Sequence, residues 1–183
     1  MAKPKQIVTP VGTAAFVHLD KPGKGWEDNP GKYEISILFP ADAEFLDALQ
    51  DDILDRAHAL ASRKKVKIGN DPDVPWKDGD PKYDHEGMVI FTARTAEKDS
   101  FSVRDAANNL IPHKLIKPGD DVRLMLNPGV YKGGVNLYLN GVQLVGKNNA
   151  GGEFEAYEGG YVAGNTADDP ATDDSEGDDE GDY

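Results

Sequence analysis

No cysteine occurs in the 183 residues, so disulfides and thiolate metal sites are both excluded, and the chain is compatible with a reducing cytoplasm. No apolar run approaches the roughly 20 residues that span a bilayer, and the opening MAKPKQIVTP lacks the apolar stretch of a secretory signal. A soluble intracellular protein with no membrane partner is expected. Catalytic signatures are missing as well: there is no P-loop, no G-x-S-x-G and no H-E-x-x-H, and His18, His58, His85 and His113 show no ligand spacing. Asp71, Asp73, Asp78, Asp80 and Asp84 crowd into one stretch without meeting the D-x-D-x-D-G series of a calcium loop and its closing Glu. Neither an enzyme, a cofactor nor a metal is expected.

Basic residues are also missing from Asn148 to the end. The final sixteen residues, DDPATDDSEGDDEGDY, hold seven Asp and two Glu and almost nothing that can be buried except Tyr183. Such a segment cannot offset the entropy of ordering, so a solvated, disordered acidic tail is expected over 168–183. The tail and the stretch before it hold most of the net charge of −13: residues 1–147 carry 20 Lys+Arg against 21 Asp+Glu, a difference of only −1. A low isoelectric point ordinarily argues against a nucleic-acid partner, because affinity for nucleic acid comes from neutralised phosphates. Segregation of the negative charge removes that argument here. The expected organisation is one domain over 1–147, a Gly-rich connector over 148–167 and the tail over 168–183. The connector has two places to pack, its own domain or a second subunit of a homodimer.

Along the domain, the apolar period alternates between two and 3.6. After a short arm with Lys3 and Lys5, Val11, Thr13, Ala15, Val17 and Leu19 share one face of a first strand. A polar loop, Asp20 to Gly31, carries an isolated Trp26, which reads as a lid on the core edge or as part of a binding surface. Tyr33, Ile35, Ile37 and Phe39 give a second strand, stopped by Pro40. From Asp42, as N-cap, to Arg63, the residues Phe45, Leu46, Leu49, Ile53, Ala57 and Leu60 recur at helical spacing. The basic run Arg63, Lys64, Lys65 and Lys67 either complements the dipole at the helix end or contacts phosphate.

Asn70 to Gly87 is too rich in Pro, Gly and Asp for regular structure, and loops of that length are usually functional or mobile. A strand follows over Met88–Thr95, with Val89, Phe91 and Ala93 on one face, then a short one over Phe101–Arg104 with a turn at Ala106–Asn109. Two more carry Val122, Leu124, Leu126 and Val135, Leu137, Leu139, joined by Asn127–Gly134. Past Asn140-Gly141 the apolar phase slips to Val142 and Leu144, which predicts a β-bulge. A mainly β fold is expected, a small barrel with one helix between strands.

Aromatic residues stand beside lysines in the connections: Trp76 with Lys77, Tyr83 with Lys82, Tyr131 with Lys132. Flat faces on which bases stack, interleaved with cations along the phosphates, are what a sequence-tolerant binder of single strands needs. The order of motifs adds to this: T-P-V-G-T-A at 9–14, N-P-G-K-Y at 29–33, P-W-K-D-G-D at 75–80, V-Y-K-G-G-V-N-L-Y-L at 130–139 followed by G-V-Q-L-V, and D-D-E-G-D-Y at the end. In this layout the chain resembles the single-stranded DNA-binding proteins of bacteriophages, of the T7-like type.

The resemblance implies an OB-fold and a role in phage DNA replication and recombination in the host cytoplasm. It further implies Tyr131 as a stacking platform with Lys132 beside it, and Arg94, Lys32 and Lys3 as phosphate contacts. Trp76, Lys77, Lys82 and Tyr83 join this set from the loop pattern. The acidic tail, with Asp178, Asp179, Glu180, Asp182 and Tyr183, is implied to recruit replication proteins such as a DNA polymerase and a helicase-primase. Tails of that type end in phenylalanine; Tyr183 brings a hydroxyl into any apolar docking pocket. Two alternatives of another class stand beside this reading, a non-enzymatic scaffold that holds a partner by its tail and a DNA mimic.

Overall fold

The structure, a computed structural model, describes residues 5–25 and 30–148. Lys3, Trp26, the connector beyond Asn148 and the acidic tail with Asp178, Asp179, Glu180, Asp182 and Tyr183 lie outside the described residues. The elements in order are β1 (Ile7–Val8), β2 (Gly12–His18), β3 (Tyr33–Pro40), α1 (Leu46–Lys64), β4 (Trp76–Asp78), β5 (Met88–Thr95), β6 (Ser102–Arg104), β7 (Asp121–Tyr131) and β8 (Gly134–Gly146).

Five strands close into a barrel. β2 pairs with β3 and β3 with β5, both antiparallel. β5 meets β8 in parallel at Arg94↔Tyr138, β8 pairs with β7 along its length, and β7 returns to β2 at Gly12↔Val122. Closure removes the open sheet edges that the five strands would otherwise present. The mainly β, OB-fold-like barrel expected from the sequence is therefore the architecture found, with α1 the one α-helix among the described residues.

The barrel interior is filled by alternating residues: Ile35, Ile37 and Phe39 from β3, Phe91 and Ala93 from β5, Val122, Leu124 and Leu126 from β7, and Val135, Leu137 and Leu139 from β8. Phe39 stands edge-on to Phe91 at 5.6 Å and to Phe45 at 5.1 Å, a geometry aromatic quadrupoles favour. α1 adds Leu46, Leu49, Ile53, Ala57 and Ala61, its one apolar stripe, and packs on β7. The bulge predicted at Asn140-Gly141 is present: Met125 pairs with Gly141 and Leu126 with Leu139, so Asn140 is the extra residue. It returns Val142 to the interior.

Several expectations are corrected. The first strand does not keep Val11, Thr13, Ala15, Val17 and Leu19 on one inner face. A bulge between Ala14 and Val17 switches phase, so Ala14 and Leu19 are buried and Val11 and Phe16 are exposed. The helix begins at Leu46, not Asp42. Residues before it form turns closed by Ala43 N–H to Pro40 O and Leu46 N–H to Ala43 O, and Phe45 occupies the N-cap without a side-chain cap. Ala61 is buried in place of Leu60 as the stripe drifts round the helix. The arm contains β1, which pairs with β7 at Ile7↔Leu126, and the stretch 70–87 contains β4 on the edge of β5. β7 extends to Tyr131, leaving Lys132-Gly133 as a two-residue connection in which Gly133 has φ of 88°.

Asp120, a fully buried carboxylate just before β7, fastens the end of β8. It accepts from Lys147 Nζ at 2.9 Å and from the backbone N–H groups of Lys117 and Asn148 at 2.8 and 3.1 Å. Burial pushes this carboxyl up, but the hydrogen bonds from Lys147, Lys117 and Asn148, with the charge on Lys147, outweigh burial and hold it below the ordinary carboxylate value.

Candidate nucleic-acid interface

On the outer face of the barrel, where β5 separates from β8, β4 fills one half of β5's edge and β8 touches only the other half at Arg94↔Tyr138. The gap is an open groove of about 580 Å³. Inward residues of these strands hold the core, so strand alternation sends Ile90, Thr92 and Arg94 of β5 and Asn136 and Tyr138 of β8 into the groove. Trp76 and Lys77 line it from β4, Lys32 from just before β3, and Tyr131 from the end of β7.

Five of the residues singled out in the sequence are thus brought to one place: Lys32, Trp76, Lys77, Arg94 and Tyr131. Lys132 is exposed at the adjoining hairpin connection. Lys82 and Tyr83 are elsewhere. They belong to a 3-10 turn, Pro81–Tyr83, capped by Asp80, which accepts from Lys82 N–H at 2.9 Å. Tyr83 there packs edge-on to Phe16 of β2 at 5.4 Å, with Lys82 Nζ 5.4 Å from its ring centre.

Trp76 is half-buried, its ring tilted 34° against Phe91 at 5.3 Å, so it closes the core while lining the groove. Tyr131 and Tyr138 are different in kind, 46% and 50% exposed. Each ring lies against a glycine of the opposite strand. A Cβ on Gly134 would come within 2.3 Å of the Tyr131 ring, and one on Gly129 within 2.3 Å of the Tyr138 ring. Glycine at these two sites lets the rings lie down on the hairpin, covering bare backbone, instead of standing off it. Tyr138 was not singled out from the sequence. The signal for it was available: Gly129, Tyr131, Gly134, Asn136 and Tyr138 all fall on the outward phase once Val135 and Leu137 are assigned inward.

Electrostatics of the groove are cationic but partly compensated. Arg94 Nε donates to Glu34 Oε2 at 2.9 Å, the arginine side chain 59% exposed and the glutamate 26%. That bond orients the guanidinium and leaves its remaining N–H groups available. Lys32 and Lys77 are exposed and in no ion pair among the described residues. The Oδ1 of Asn136 is buried without a hydrogen-bond partner among the described residues. Among those residues no cluster of His, Cys, Asp or Glu has the form of a metal site, and no helix is long and apolar enough to cross a membrane.

No protein-family model and no curated protein matches the sequence. Solved structures do match the fold. The single-stranded DNA-binding protein from bacteriophage Enc34, solved in complex with ssDNA, aligns with a TM-score of 0.64 and 22% identity over 80% of this chain and 89% of that one. The same phage's protein in a second structure aligns at 0.60 and 22% over 91% and 92%. Gp2.5, a single-stranded DNA-binding protein encoded by bacteriophage T7, aligns at 0.56 and 20% over 86% of this chain and all of the other. The chain therefore has the fold of the bacteriophage single-stranded DNA-binding proteins, and the resemblance read from its motifs is met at the level of the fold.

Proposed function

We propose that this protein binds single-stranded DNA without sequence preference, holding bases on Tyr131 and Tyr138 and phosphates on Lys32, Lys77, Arg94 and Lys132. The observation that carries the reading is the pair of half-exposed tyrosines laid over Gly134 and Gly129 beside exposed cations. Stacking on a tyrosine accepts any base, and lysines follow the backbone, so affinity comes without base choice. Neighbours of the same fold that bind single-stranded DNA support the assignment. Trp76 joins the site as a lining residue of the same groove; Lys3, Lys82 and Tyr83 are assigned to the wider surface on the sequence reading alone.

In this proposal residues 1–147 are the binding domain and the protein acts without catalysis, in phage DNA replication and recombination inside the host cell. The acidic end, Asp178, Asp179, Glu180, Asp182 and Tyr183, recruits replication proteins and competes with DNA for the cationic groove. Gel-shift titration with oligo-dT tests the proposal. Wild-type protein shifts the oligonucleotide, and affinity falls steeply with salt. Tyr131→Ala with Tyr138→Ala weakens binding by roughly 1 to 3 kcal/mol per lost stack. Deleting 168–183 tightens binding at low salt and changes it little at high salt. Undiminished binding by the double tyrosine variant removes the groove assignment. Absence of any shift leaves a scaffold or a DNA mimic acting through the tail.

A further inference from the structure

A second groove opens farther along β8, on the same outward face as Tyr138. Strand register alone assembles it. Val8 of β1 pairs with Met125 of β7, Met125 with Gly141 of β8, and Gly141 with Ser102 of β6. These four residues form a row straight across four strands. Two residues farther on, past the inward-facing Leu124 and Val142, Arg123 of β7 pairs with Gln143 of β8 and Gln143 with Arg104 of β6, giving a parallel row of two guanidiniums flanking an amide. The groove between and over these rows has a volume of about 380 Å³.

Its floor is apolar and low. Val8 and Met125 are 46% and 38% exposed, large apolar side chains open to solvent on a sheet face. Gly141 contributes no side chain, and a Cβ there would only reach ordinary contact, 3.4 Å from Met125 Cβ. Neither arginine is in an ion pair among the described residues. Asp105, the carboxylate next to Arg104, is already taken by the backbone and side-chain N–H groups of Asn109 at 2.8 and 3.0 Å. Arg104 Nη1 donates to Asn108 O at 2.8 Å, which ties down one edge of its guanidinium.

Position relative to the first groove is set by β8. β5 and β6 lie parallel to the same edge of β8 in succession, Arg94 opposite Tyr138 and Arg104 opposite Gln143. From Tyr138 to Gly141 is three residues, roughly 10 Å at the rise of a strand. A chain stacked on Tyr138 and continuing along β8 therefore meets the Val8–Met125–Gly141 floor next, with guanidiniums waiting beside it.

We infer that this second groove is a further subsite for the same single strand, the apolar floor taking a base and Arg123 and Arg104 taking the flanking phosphates. Arginine suits that role because its planar fork matches phosphate oxygens and also stacks on flat rings. The inference rests on the proposed single-strand binding, and deepens it by giving the strand a direction and a longer footprint.

The experiment is fluorescence anisotropy of oligo-dT in a length series, with the full chain as wild type, Arg123→Gln and Met125→Glu, each confirmed folded by circular dichroism. Oligonucleotides short enough to fill only the first groove bind all three equally. Longer ones bind Arg123→Gln and Met125→Glu about 3- to 10-fold more weakly than wild type. For Arg123→Gln the salt slope on long oligonucleotides becomes shallower by about 0.7, one phosphate contact on a single strand. Equal affinity of wild type and both variants at every length overturns the subsite, as does an equal loss at every length. Tighter binding of long oligonucleotides by Arg123→Gln also overturns it, and assigns the groove to the acidic tail. Failure of the underlying reading looks different: wild type would bind no oligonucleotide of any length.

Discussion

Gly134→Ala is the sharpest probe of the tyrosine platform, because it alters the groove by one methyl group and removes no functional side chain. The added Cβ would lie 2.3 Å from both Cζ and Oη of Tyr131 and 2.8 Å from Cε2, well inside contact distance. Gly134 has no positive φ, so alanine fits its backbone, and the obstacle is the far end of a side chain that is 46% exposed and free to swing outward. The ring leaves the strand and the fold stays. Gly→Ala at a compatible position gains about 0.4 to 1 kcal/mol from the unfolded chain. Loss of the ring's contact with the hairpin offsets a similar amount, so the melting temperature should move by about 3 °C or less. Binding should respond far more. A base stack is worth roughly 1 to 3 kcal/mol, hence oligo-dT affinity should drop roughly 5- to 140-fold at 1.4 kcal/mol per decade. Tryptophan quenching on titration with oligo-dT reads the loss. The cycle with Tyr131→Ala tests its cause, since displacement of the ring predicts no further loss when both changes are combined. Additive losses, or full affinity in Gly134→Ala at an unchanged melting temperature, would refute the platform.

Glu34→Gln should release Arg94 from its 2.9 Å partner and tighten oligo-dT binding by about 1.5- to 5-fold at low salt, the worth of an exposed pair; a gel shift at two salt concentrations decides, and weaker binding would mean that the bond's orienting role dominates. Asp120→Asn should cost about 1 to 3 kcal/mol at pH 7 by urea unfolding, through loss of the charged acceptor for Lys147 and its backbone donors. Because the folded carboxyl is held below its ordinary value, its contribution is complete above about pH 3.9 and is lost as pH falls through the folded value, so the gap between wild type and variant should narrow in acid and not in base. Ile53→Ala, at the fully buried centre of the α1 stripe, should cost about 2 to 5 kcal/mol in the same assay, and a smaller loss would mean that α1 is not part of the barrel core.

The sequence by itself determined which residues face inward on β3, β7 and β8, the two faces of β5, the existence of α1, and the bulge at Asn140. Burial imposes period two or 3.6 on consecutive residues, and an extra residue in a strand has to show as a slip in that period. It also determined that the negative charge is gathered at one end, since charge needs no fold to be counted. Tertiary structure alone decided the rest. β1 and β4 are two and three residues long, too short for any period, and exist only because β7 and β5 offer free backbone groups to them. The phase of β2 depends on a bulge that Ala14 and Val17 do not betray, both being small and apolar. Tyr83 and Tyr131 look alike in sequence, each beside a lysine, yet one is folded onto Phe16 and the other onto Gly134. Both grooves are made by pairings between residues dozens of positions apart, Arg94 with Tyr138 and Arg104 with Gln143, and a local pattern carries no information about which distant strand will supply the neighbour.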